Sequence, residues 1–247
     1  MSAAVASSEM NGPHNALRAA APALMTLLRR PAAVIFDMDG LMLDTEPLAA
    51  RAWGDAAAML GVDFDMSLAQ GMIGRNFADC SAMLRARYVS PYPVDALLGR
   101  WHAAYDAIVE REGLVLKPGV HELLDWLEGA AIPRAVATST RRDRARAKLL
   151  QTSLLPRFHE VVGGDEVASG KPAPDIYIEA ARRLRASAAA CLVLEDSEPG
   201  VRAALAAGMI PIMVPDLVPP SAHLVALDLV VLPTLHDVLA HLVTLPS

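Results

Sequence analysis

The sequence predicts an α/β protein: a parallel sheet with helices on both faces and a helical domain inserted into it. Three observations carry this. Short apolar runs recur along the chain, helix-period segments fill most of the gaps between them, and one long interval shows no strand pattern at all. Apolar runs bounded by polar turns suit strands buried on both faces, and their alternation with helices is the mark of a parallel sheet.

The runs fall at 32–36, 135–137, 158–162, 191–194, 210–214 and 229–232. Helical periodicity occupies 120–127, 142–150, 174–185, 199–207 and 235–242. Between the first and second strands, residues 45–116 hold only helical patterns, punctuated by Gly61, Gly71, Gly74 and Pro91-Tyr92-Pro93. That interval is too long for a simple crossover, so it reads as an inserted helical domain. The expected organisation is an N-terminal extension at 1–31 with a short helix over 16–28, a core at 32–44 and 117–247, and the insertion at 45–116.

Composition narrows the function classes. The 247 residues are 53% hydrophobic with a net charge of −6, enough for a sizeable core and without a general basic field for nucleic acid. The basic run Arg141-Arg142-Asp143-Arg144-Ala145-Arg146 reads as a solvated helix face rather than an RNA surface. No apolar run approaches the roughly 20 residues that span a bilayer. The first residues lack the pattern of a secretory signal. Cys80 and Cys191 have no metal or redox spacing, and Cys191 opens an apolar run as a small core residue. A monomer in a reducing cytoplasm, acting on a small molecule, is the expectation.

Ligands of an open parallel sheet sit outside the carboxyl ends of its strands. Here the first strand ends in Asp37-Met38-Asp39-Gly40, the second in Thr138-Ser139-Thr140 and the fourth in Glu195-Asp196-Ser197, with Gly170-Lys171-Pro172 before the fourth. Carboxylates converging on one mouth repel: at ~4 Å and an effective dielectric near 20, each like-charged pair costs roughly 4 kcal/mol. A cation must therefore sit among them. Oxygen ligands without His or Cys favour Mg²⁺ over zinc. Lys171 is one of only three lysines against nineteen arginines, and its compact ammonium suits a phosphoryl group. Thr138 and Ser139, at a strand-to-helix junction, suit an anion site. Bland alternatives stand beside each reading: a surface turn for Asp37 and Asp39, helix caps for Asp196, Ser197, Thr138 and Ser139, and an exposed loop for Lys171.

Asp37-x-Asp39-Gly40, Thr138-Ser139, Gly170-Lys171-Pro172 and Glu195-Asp196-Ser197-Glu198-Pro199-Gly200 stand in the order and spacing of the haloacid dehalogenase-like superfamily. The chain most resembles its branch of phosphatases related to β-phosphoglucomutase, and Asp44-Thr45-Glu46-Pro47 and Ala206-Ala207-Gly208-Met209 add to the likeness. The resemblance implies a Rossmann-like core, a helical cap and a Mg²⁺-dependent phosphatase acting on a small phosphomonoester, a sugar phosphate or similar metabolite. It makes Asp37 the nucleophile and Asp39 the general acid and base, with Lys171 neutralising charge. It gives the metal to Asp37, the Asp39 carbonyl and Asp196, with Glu195 acting through water, and the phosphate to Thr138 and Ser139.

Arg75, in Ile73-Gly74-Arg75-Asn76, and Arg141 are candidate substrate contacts, each with a solvated arginine as the alternative. The insertion has no lysine for Schiff-base chemistry, and Asp39 separates the chain from dehalogenating relatives. Ala49 stands where the mutase pattern has histidine, which favours hydrolysis over a hexose-phosphate mutase. A non-catalytic phospho-ligand binder is the remaining alternative, and it has no use for Asp39.

Overall fold

The computed structural model describes residues 29–72, 75 and 77–246. Strands β1 (Ala33–Phe36), β2 (Arg134–Thr138), β3 (Glu160–Gly163), β4 (Cys191–Glu195), β5 (Ile210–Met213) and β6 (Val230–Val231) pair in parallel in the order β3-β2-β1-β4-β5-β6. All six lie where the apolar runs place them. β6, an edge strand bonded only to β5, is two residues long. The expected 16–28 helix, and Ile73, Gly74 and Asn76 beside Arg75, lie outside the described residues.

Ten helices of four or more residues are described. Four follow β1: α1 (Glu46–Leu60), α2 (Met66–Met72), α3 (Phe77–Arg87) and α4 (Val94–Glu112). The others are α5 (Val120–Gly129), α6 (Arg142–Gln151), α7 (Asp175–Leu184), α8 (Glu198–Ala206), α9 (Ala222–Val225) and α10 (Leu235–Val243). None of the described helices is long and apolar enough to cross a membrane.

β1 shows why the sheet needs two covered faces. Its four residues are fully buried, and they alternate between two cores. Val34 and Phe36 pack with Leu123 and Leu127 of α5 and Val238 of α10. Ala33 and Ile35 pack with Ile176, Tyr177 and Ala180 of α7 and Ala203 of α8. A fully apolar strand is the consequence. Helices α1 to α4 bury a separate set, including Trp53, Ala56, Leu84 and Leu97. α1 stops at Gly61, whose positive φ of 64° lets its N–H turn back to the carbonyls of Ala57 and Ala58.

Two antiparallel connections join these helices to the sheet. Asp44 N–H donates to the Val115 carbonyl, Lys117 N–H to that of Met42, both at 2.9 Å, and Leu43 bridges Leu116. The helices therefore hang from a narrow double linker directly above β1. Because β1 lies between β2 and β4, the chain reverses direction across the sheet there, and the crevice opens at its carboxyl end.

Candidate active site

Asp37 continues β1, its N–H donating to the Leu194 carbonyl at 3.0 Å. Met38 drops into the core, leaving Asp37 and Asp39 at the mouth of the crevice. Lys171 arrives from the loop before α7 and is fully buried. Its Nζ donates to Asp37 Oδ1 at 2.5 Å, Glu195 Oε1 at 2.6 Å and the Ala137 carbonyl at 3.2 Å. Glu195 is held on every side: Tyr177 Oη donates to Oε1 at 2.8 Å, and the N–H and hydroxyl of Ser197 both donate to Oε2 at 2.9 Å. These donors fix its oxygens against Lys171.

Asp196 is the contrast. Both its carboxylate oxygens are buried with no hydrogen-bond partner among the described residues. Leaving such a group unpaired is expensive, so its natural partner is a cation. Gly40, at φ +83°, lets the backbone pass close by, because a Cβ there would collide with Asp196 Oδ2. Carboxylate oxygens of Asp37, Glu195 and Asp196 lie within 4.8 Å of one another. This all-oxygen set fits a hard divalent ion, with Asp196 and Asp37 as the carboxylates free to turn to it.

The electrostatics agree. Burial pushes the Asp37 carboxyl up to about 7, with Glu195 and Asp39 adding to the rise and Lys171 opposing it. Burial, with the charges of Glu195, Asp37 and Glu46, drives Asp196 well above the carboxylate range. Burial alone would raise Glu195, but the Lys171 charge and its hydrogen-bond donors hold it low. Lys171 rises despite burial because two carboxylates face it. One ammonium among three buried acids leaves negative charge that a divalent ion would balance.

Asp39 lives in a different environment. Lys148 Nζ and the Thr45 hydroxyl donate to its Oδ1 at 2.7 and 2.9 Å, and the Thr140 hydroxyl to Oδ2 at 2.8 Å. Burial acts to raise this carboxyl, but Lys148 and these donors outweigh it and hold it below its ordinary value. Two carboxylates two residues apart thus have separate cations and opposite shifts. Separation of this kind assigns different chemical roles to neighbouring acids.

Above them lies a cavity of about 560 Å³ between the sheet mouth and helices α1 to α4. Thr138, Ser139, Arg75 and Arg141 all line it with Asp37 and Asp39. Arg75 Nε donates to the Gly71 carbonyl at 3.0 Å. Arg141 is largely exposed and lies 3.5 Å from Asp143 and 3.7 Å from Asp165, so it sits at the rim. Arg142 is exposed and pairs with Glu166, whereas Arg144 lines the cavity and its side chain pairs with Asp106 of α4.

Sequence reasoning missed Lys148, Thr140 and Tyr177. Lys148 was concealed in the basic run continuing into α6, yet lysine scarcity was a usable signal. Two of the three lysines, Lys148 and Lys171, hold the carboxylates of the first strand's end, and the third, Lys117 in the double linker, donates to Asp216 at 2.5 Å.

A sequence model of haloacid dehalogenase-like hydrolases matches residues 31–208. The chain belongs to that family. It is 34% identical to the phosphorylated carbohydrates phosphatase of Thermotoga maritima, over 72% of this chain and 82% of that protein. Identity to the bifunctional riboflavin kinase/FMN phosphatase of Arabidopsis thaliana is 30%, over 81% of this chain, which spans about half (52%) of that longer protein. The crystal structure of CbbY from Rhodobacter sphaeroides in complex with phosphate superposes with a TM-score of 0.72 at 28% identity, covering 84% of this chain and 96% of that one.

Proposed function

We propose that this haloacid dehalogenase-like hydrolase is a Mg²⁺-dependent phosphatase that cleaves a small phosphomonoester through an aspartyl-phosphate. The observation that carries the reading is the division of labour at the sheet mouth. Asp37 is bound to Lys171 beside the unpaired Asp196, while Asp39 is held apart by Lys148.

Attack on a phosphate dianion by a carboxylate must overcome like charge, and Lys171 lies against Asp37 to offset it. Asp37 and Asp196, with the Asp39 carbonyl, would hold Mg²⁺, and Glu195 supports the site through Lys171. When bound, Mg²⁺ supplies charge neutralisation for the transferring phosphoryl group. In the first step an Asp37 oxygen bonds to phosphorus and the ester P–O bond breaks; Asp39, an ionised carboxylate while Lys148 holds it, must take up a proton as the substrate's negative charge enters beside it, and it gives that proton to the departing alcohol oxygen. In the second, Asp39 takes a proton from water as the water oxygen bonds to phosphorus. The Asp37–phosphorus bond then breaks, restoring the carboxylate and releasing inorganic phosphate.

Thr138 and Ser139 line the cavity where they can grip the phosphoryl oxygens, and Arg75 and Arg141 border the space for the leaving group. The helices at 45–116 act as a cap that closes on the double linker and excludes water. Ala49 in the cavity wall offers no proton-transfer group, which favours water over a second sugar as acceptor. The enzyme acts as a cytoplasmic monomer with no nucleic-acid partner.

The test is phosphate release from a panel of phosphomonoesters with Mg²⁺ and with EDTA. Metal-dependent release, abolished by Asp37→Asn, supports the reading. Absence of release across the panel, or release untouched by Asp37→Asn, overturns it.

A further inference from the structure

The cavity wall is unusually rich in rings. The chain has three Trp, four Tyr and four Phe in 247 residues. Trp53, Phe77, Trp101 and Tyr105 all line this one cavity, with His102. They form a continuous row: Trp53 stacks on Trp101 at 5.0 Å, Trp101 on Tyr105 at 5.3 Å, and Phe77 on His102 at 4.7 Å, with His102 meeting Trp101 edge-on at 5.1 Å. The row ends over the chemistry, because the Lys148 ammonium that holds Asp39 sits 4.9 Å from the Tyr105 ring centre.

Trp53 and Tyr105 are buried within the insertion, but two features say that the Phe77 end of the row does more than pack. Phe77 is 45% exposed, so a large apolar face is held towards solvent at the cavity rather than sealed in the core of the insertion. That core closes without it, around Trp53, Leu84 and Leu97. An acyclic polyol presents little flat apolar surface to such a wall, and a sugar ring only the C–H patch of one puckered face. A planar unsaturated ring presents two faces that stack on aromatic side chains.

Resting on the phosphatase reading above, we infer that the leaving alcohol carries a planar unsaturated ring, attached directly or through a sugar, which stacks against the Phe77–Trp101 row. The substrate class is an aromatic or heteroaromatic phosphomonoester. This narrows the broader class of sugar phosphates and similar metabolites.

The test compares kcat/KM for ring-bearing esters (adenosine 5′-monophosphate, flavin mononucleotide and pyridoxal 5′-phosphate) with glucose 6-phosphate and glycerol 3-phosphate, using acetyl phosphate as a generic phosphoryl donor. The best ring-bearing ester should exceed both ring-free alcohols by at least about tenfold, the scale of one aromatic stacking contact. Phe77→Ala should reduce the ratio of kcat/KM for that ester to kcat/KM for acetyl phosphate about fivefold or more, chiefly through KM, and Phe77→Tyr should restore it. Phe77 is exposed enough that neither change endangers the fold. If acetyl phosphate is hydrolysed but glucose 6-phosphate or glycerol 3-phosphate is preferred, or if Phe77→Ala leaves the ratio unchanged, the ring inference falls and the phosphatase reading stands. If acetyl phosphate and every ester are inert, both fall.

Discussion

Replacing Lys171 with Met keeps most of the side-chain volume and removes the ammonium from beneath the nucleophile. Three acceptors lose the Lys171 ammonium at once: Asp37 Oδ1, the Ala137 carbonyl and Glu195 Oε1, which keeps only the Tyr177 hydroxyl. Both carboxylates are buried, so neither recovers its hydration, and removing one partner of such a pair costs about 3–5 kcal/mol. In a chain of this size each kcal/mol moves the melting temperature by about 2–4 °C, so a fall of roughly 6–20 °C is expected. Thermal denaturation followed by circular dichroism at neutral pH, without divalent metal, measures it. Glu195→Gln in the Lys171→Met background removes one of the stranded charges and should recover part of the loss, giving a coupling of about 1 kcal/mol or more. A fall under about 2 °C, or strictly additive single and double variants, would refute the buried triad as described.

Three further outcomes follow from the same geometry. Asp196→Asn should weaken Mg²⁺ binding by about tenfold or more in titration calorimetry, because a buried carboxylate without another partner becomes a neutral amide. Asp39→Asn should lower steady-state turnover of an alkyl phosphate by about 10²–10⁴-fold, and Lys148→Met should lower it less, because Asp39 keeps Thr45 and Thr140; both are read by phosphate release. Far from the site, Arg182 and Arg183 hydrogen-bond Glu179 and hold its carboxyl at about 2. A depressed folded-state value stabilises the fold above the ordinary carboxylate range, and the benefit is lost as pH falls from about 4.5 towards 2. The melting-temperature gap between wild type and Glu179→Gln should therefore shrink over that interval, from a benefit under about 1 kcal/mol because the pair is partly solvated.

The sheet was legible because β1 and β4 are buried on both faces and so read as unbroken apolar runs ending in acids. Asp37, Asp39 and Asp196 could be placed for the same reason: a strand end fixes where its next residues go. Lys171 was visible through its rarity and its Gly-Lys-Pro setting. Lys148 was not, because its partner is more than a hundred residues away and its neighbours Arg142, Arg144 and Arg146 suggest a solvated face. Thr45 and Thr140 are likewise donors only by virtue of where the linker and the β2–α6 junction meet. The aromatic row escaped for a related reason: Trp53, Phe77 and Trp101 lie on three different helices, and only their packing reveals a common wall.

In the proposed reaction Asp37 carries the phosphoryl group and Asp39 removes it. Mass spectrometry of the Asp39→Asn protein, quenched in acid after brief incubation with Mg²⁺ and acetyl phosphate, tests this directly. One added phosphoryl group is expected on the peptide bearing Asp37, absent from the Asp37→Asn protein. A phosphoryl group on another side chain, or none while phosphate is still released, would contradict it.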